Sequence, residues 1–93
     1  MPKKLDDLRA ELDEIDAGIL SLLAKRFEKI KLIGELKKEK NIPVLQKNRE
    51  EFVLNRAKKA ALENDIDSAY FEKIYKVIIS SACDLENLII DGK

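Results

Sequence analysis

Arg26 and Lys37 are the first residues whose type and spacing suggest chemistry. They stand in the stretch AKRFEKIKLIGELK (24–37), which reads as helix. Eleven steps of about 100° bring them to within about 20° of one another, with roughly 16 Å between them along the axis. Their shared face is the apolar one: Ile19, Leu22, Arg26, Ile30, Ile33 and Lys37 keep a spacing of three and four. Cations on such a stripe have two ordinary fates. They snorkel to solvent, or they turn into a polar pocket. There, a guanidinium fork and an ammonium together suit a small dianion such as a dicarboxylate. Arg9 lies seventeen residues before Arg26 and points about 100° away. One helix therefore offers two cations to one site and a third in another direction. In a dimer built along this helix, the spacing permits Arg9 to reach the partner's site.

Three further residues belong to the same question. Arg49 and Glu50 open a second helix, where backbone N–H groups and the positive end of the dipole favour anions. Glu50 also reads as an ordinary first-turn acid. Glu86 extends a stripe of Tyr75, Ile79 and Ala82 on a third helix. It either sits exposed near the helix end or faces the interior that Arg26 and Lys37 face. Gly34 lies within the first helix and costs about 1 kcal/mol against alanine. It is either a tolerated weakness or a point of close approach by a neighbouring helix or ligand.

Other chemistry is excluded by composition. The chain has no histidine, which removes Ser-His and Cys-His dyads and His-containing zinc sites. Its single cysteine, Cys83, allows no internal disulfide and reads as a small apolar helix residue. Eighteen basic and eighteen acidic residues cancel, so a net-basic nucleic-acid binder is not indicated. No apolar run reaches membrane-spanning length, and the N-terminus lacks the apolar core of a signal peptide. A cytoplasmic protein is the expectation. Without an evident nucleophile or metal ligands, electrostatic and conformational catalysis is more natural than covalent chemistry.

The elements that must position these residues are helices. The chain is 93 residues long, 45% hydrophobic and 39% charged, with three glycines and two prolines. That composition predicts one all-α domain over residues 1–93. Leu5, Leu8, Leu12, Ile15, Ile19 and Leu22 begin a stripe that continues through Phe27, Ile30, Ile33 and Leu36. It predicts a helix over about 5–40, roughly 50 Å long. A chain this short cannot bury such a helix alone, and a second copy is the simplest partner. Asn41 suits a left-handed C-cap, and Pro43 stops the helix. Asn48 with Glu51 predicts a capping box for a second helix over about 49–64. Its apolar positions are Phe52, Val53, Ala57, Ala60 and Ala61. Asp67 is placed to cap a third helix over about 68–89, with Phe71, Ile74, Tyr75, Ile78, Ala82, Leu85 and Ile89 on one face.

With these motifs in place, the sequence resembles the all-helical (AroQ-type) chorismate mutase family. The resemblance is carried by LRAELDEIDAGILSLLAKR (8–26), IGELK (33–37), IPV (42–44), NRE (48–50) and CDLE (83–86). It covers residues 5 to about 89. It implies an intertwined homodimer of three-helix chains that rearranges chorismate to prephenate without a cofactor, on the route to phenylalanine and tyrosine. It further implies that Arg26 and the Arg9 of the other chain bind the two substrate carboxylates. Lys37 would contact a carboxylate and the ether oxygen, Glu50 would accept from the ring hydroxyl, and Arg49 would support the pocket. Glu86 would supply a second hydrogen bond to the ether oxygen, a position often glutamine in bacterial relatives. As a donor, Glu86 must carry a proton; burial favours that and neighbouring cations oppose it. Gln46 stands at a loop position that is often aspartate, where a backbone contact survives the change. Ala82 stands where a serine can line the pocket. An isochorismate–pyruvate lyase or an aminodeoxychorismate mutase fits the same residues, and a non-catalytic helical dimerisation module is the reading outside enzymes. That module predicts a solvent-facing Arg26 and Lys37.

Overall fold

A computed structural model describes residues 4–92; the ends of the expected 1–93 domain, residues 1–3 and 93, lie outside the described residues. Three helices follow one another: α1 (Leu5–Lys40), α2 (Lys47–Glu63) and α3 (Ser68–Asp91). Among the described residues there is no strand, and no helix is long and apolar enough to cross a membrane. The fold is all-α, as the composition predicts.

Each helix end has a local cause. Asp6 and Asp7 lie in the first turn of α1, at the positive end of its dipole. Asn41 closes α1 in the left-handed conformation, φ 56°, which asparagine adopts more readily than most residues. The Ile42 N–H then donates to Lys37 O at 2.9 Å. Asp67 caps α3, its Oδ1 accepting from the Ala69 N–H at 2.9 Å. Gly92, at φ 70°, ends α3 two residues beyond the expected Ile89.

The start of α2 corrects the sequence reading. Its N-cap is Gln46, in extended conformation and without a side-chain cap bond. The Glu50 N–H donates to Gln46 O at 3.0 Å, so the first turn closes two residues before the expected Arg49. Asn48 is inside the helix, and the Asn48–Glu51 box does not form. The short extended loop after Pro43 delivers the chain to helical geometry earlier than the capping signal suggests.

α3 is the middle layer, packed against α1 on one side and α2 on the other; α1 and α2 do not pack on each other. The buried apolar residues are Ile30 on α1, Val53, Ala57 and Ala61 on α2, and Ala82 on α3. Most are small, so the helices approach closely and the core is thin. Phe52, expected on the apolar face of α2, is instead exposed. It lies between the guanidinium groups of Arg49 and Arg56, 5.1 and 5.5 Å from its ring centroid, an arrangement worth about 0.5–1 kcal/mol per pair at a wet site.

The chain extends 59 × 24 × 17 Å. The long dimension is α1, whose residues 5–22 have almost no cover from the rest of the chain. Leu5, Leu8, Leu12, Ile15, Ile19, Leu20 and Leu22 are all exposed, Leu20 and Leu22 by 66%. An apolar row of this length exceeds what a monomer usually leaves in water.

Candidate active site

The covered half of α1 positions the chemistry. Arg26, Ile30, Ile33 and Lys37 recur at helical spacing and form one wall of a cavity of about 310 Å³. The loop adds Val44, Leu45 and Gln46, α2 adds Arg49, Glu50 and Val53, and α3 adds Ile79, Ala82, Cys83 and Glu86. The structure therefore brings together Arg26, Lys37, Gln46, Arg49, Glu50, Ala82 and Glu86. It does not bring Arg9 to them. Arg9 is exposed on the uncovered part of α1, about 25 Å along the helix from Arg26.

Lys37 and Glu86 are the most enclosed charged groups of the site. The Lys37 Nζ lies 2.7 Å from Glu86 Oε1, with side chains only 12% and 5% exposed. Nζ also donates to the Val44 carbonyl at 2.7 Å. The loop after α1 thus folds back to hold the last cation of the stripe. Glu86 Oε1 is buried and has no other hydrogen-bond partner among the described residues. At 2.7 Å its contact with Lys37 is within the range of a charge-assisted hydrogen bond, and the pair lies beside the cavity.

The remaining charges fall at other points of the wall. Arg26 is half-buried, and Arg49 is exposed and stacked on Phe52. Glu50 is half-buried between α2 and the cavity. Three cations, Arg26, Lys37 and Arg49, face two carboxyl groups, Glu50 and Glu86. The excess of cations leaves the wall net positive, which favours an anionic ligand.

Cys83 was read from the sequence only as a small apolar residue. The structure places it in the cavity wall, one turn before Glu86. Burial pushes its thiol above the ordinary range. It stays protonated and serves as apolar lining, not as a nucleophile. Its signal in the sequence was its position four residues after Ile79 and three before Glu86. Val53 was legible as an apolar position of the second helix and Val44 only as part of IPV; Leu45 gave no such signal, because loop geometry alone brings it to the cavity rim. Among the described residues, no three His, Cys, Asp or Glu side chains are grouped to hold a metal ion. The site combines apolar walls of Ile30, Ile33, Val53 and Ile79 with a few convergent polar groups, the usual make-up of a small-molecule pocket.

Known proteins match this chain over nearly its whole length. A family profile described as chorismate mutase type II matches residues 8–87. A chorismate mutase of Methanocaldococcus jannaschii is 34% identical over 79 residues, 85% of this chain and 80% of that protein. A 4-amino-4-deoxychorismate mutase of Streptomyces venezuelae is 31% identical over 87 residues, 94% of this chain and 84% of that protein. A bifunctional chorismate mutase/prephenate dehydratase of Aquifex aeolicus is 34% identical over 92 residues, 94% of this chain but 25% of that longer protein. Three helices of very unequal length, a lysine enclosed between a loop carbonyl and a glutamate, and a match over residues 8–87 lead to one assignment: the chain belongs to the type II, all-helical chorismate mutase family.

Proposed function

We propose that this chain rearranges chorismate to prephenate, on the route to phenylalanine and tyrosine and in the cytoplasm, as a homodimer needing no cofactor. The observation that carries the reading is the enclosed ammonium of Lys37, held 2.7 Å from both Val44 O and Glu86 Oε1 at the edge of the cavity. An ammonium has three donors. Val44 and Glu86 take two and leave the third for a substrate oxygen.

The reaction breaks the ether C–O bond while a C–C bond forms, with electrons moving round one ring and no proton leaving. Negative charge grows on the ether oxygen in the transition state. Lys37 stabilises that charge, and a protonated Glu86 donates to the same oxygen. Stabilisation that strengthens as charge develops is what accelerates a step. Arg26 holds one carboxylate, and the partner subunit's Arg9 holds the other, with Gln46 and Arg49 supporting that end of the pocket. Glu50 accepts from the ring hydroxyl. Ile30, Ile33, Ile79, Ala82 and Cys83 keep the flexible substrate compact by shape. Residues 5–22 of α1, left bare in one chain, are the seam of the dimer in this reading.

A second reading has a specific motive in the Streptomyces relative that acts, by its name, on 4-amino-4-deoxychorismate. An amino group donates to Glu50 as a hydroxyl does, so the wall accepts either. A non-catalytic module is disfavoured by the burial of Lys37. The test is loss of chorismate with identification of the product, beside 4-amino-4-deoxychorismate and isochorismate under the same conditions. Prephenate as the product with the highest kcat/KM supports the proposal. Faster turnover of either analogue, or no turnover at all, overturns it.

A further inference from the structure

Gly34 and Ile30 are the two buried residues of α1. A methyl group on Gly34 would stand 3.1 Å from Ile89 Cδ1, 3.4 Å from Glu86 Cα and 3.5 Å from Glu86 Cγ. All three atoms belong to α3. Mid-helix glycine gives up about 1 kcal/mol of propensity against alanine, and at Gly34 that loss falls where α3 packs against α1. At position i+3 from Gly34, Lys37 Nζ meets the carboxylate of the same Glu86 at 2.7 Å. Glu86 therefore meets α1 twice: its backbone sits over Gly34, and its Oε1 reaches Lys37. Lys37 is tied on its other side to Val44 O at 2.7 Å. It cannot follow a displaced Glu86 without loosening that bond.

We propose that Gly34 is a positioning residue: its missing side chain sets the α1–α3 separation that places Glu86 against Lys37. The inference rests on the roles given above to Lys37 and Glu86 at the ether oxygen. Alanine at this position requires Ile89 Cδ1 to give by a few tenths of an ångström and brings the Glu86 backbone into direct contact. Displacements of active-site groups on the scale of an ångström cost up to about 10²-fold in rate.

The test is Gly34→Ala beside Gly34→Ala/Ile89→Val, which removes the obstructing Cδ1. Expected for Gly34→Ala is a fall in kcat of about tenfold with KM changed less than about twofold. Expected for the double variant is recovery of most of that loss. Unchanged kcat, a loss confined to KM, or a loss that the double variant keeps would each overturn the proposal. If only Gly34→Ala fails to fold, while the double variant folds and turns over, the spacing role stands. If neither folds, the role is structural and the proposal falls. Absence of turnover in the parent chain sinks the mutase reading instead. The inference is then decided by a crystal structure of Gly34→Ala, where a lengthened Lys37–Glu86 separation supports it and an unchanged one overturns it.

Discussion

Lys37 is a cation enclosed among protein groups, and among the described residues its cost is offset by Val44 O and Glu86. Such a group is worth keeping where charge develops during a reaction. Lys37→Ala is expected to lower kcat by about 10²–10³-fold, with a smaller change in KM; steady-state kinetics on chorismate check this. Glu86 gives a second expectation. Its proposed role is to donate to the ether oxygen, which a glutamine amide also does and alanine cannot. Glu86→Gln should therefore keep kcat/KM within about tenfold of the parent, whereas Glu86→Ala should lose about 10²-fold or more. Equal losses in the two variants would remove the donor role. Cys83 supplies a third. Its thiol is raised by burial, so less of it is thiolate at a given pH than for an ordinary cysteine. Iodoacetamide should label it slowly at neutral pH, faster as pH rises, and more slowly still with chorismate bound. Rapid labelling at pH 7 that chorismate does not slow would argue against its place in the pocket wall.

The helix ends show where local chemistry decides and where it does not. Asp67 accepts from the Ala69 N–H, whereas Asn48 caps nothing because α2 begins before it. Asp67→Ala should therefore cost about 1 kcal/mol in denaturant unfolding, and Asn48→Ala far less. Equal losses would mean that Asn48 does cap α2 in solution. The contrast marks the limit of legibility in the sequence. Asn41 and Asp67 announced themselves because their side chains or backbones act within two to four residues. The start of α2 did not, because the loop from Ile42 to Gln46 is shaped by Lys37 reaching back to Val44 O, a contact seven residues apart. The site follows the same division. Arg26 and Lys37 were legible as a pair from helical periodicity alone, and Glu86 from its own stripe. That Glu86 meets Lys37, that Cys83 joins the wall and that Gly34 seats α3 depend on how α1 and α3 pack. No spacing within one helix states that.

At the scale of the molecule, one chain leaves a long apolar face bare. Nearly half of α1 is an uncovered apolar row, and Arg9 sits on that bare portion, far from the cavity it was expected to serve. Burying the row against a second copy would address both facts, since an antiparallel seam returns the Arg9 of each chain toward the Arg26 of the other. The arrangement has a consequence that a monomer cannot imitate. Arg9→Ala and Arg26→Ala should each abolish most activity, because each removes one carboxylate contact from every site. Unfolding and refolding an equal mixture of the two variants should restore activity. Half of the dimers are then mixed, and each mixed dimer has one site with both arginines intact and one with neither. About a quarter of the parent's site density should return. Recovery near that level, with sedimentation showing a dimer, assigns Arg9 to the partner's site. If the mixture stays as inactive as its components, Arg9 acts within its own chain or not at all. The bare face of α1 would then have to be explained without a shared active site.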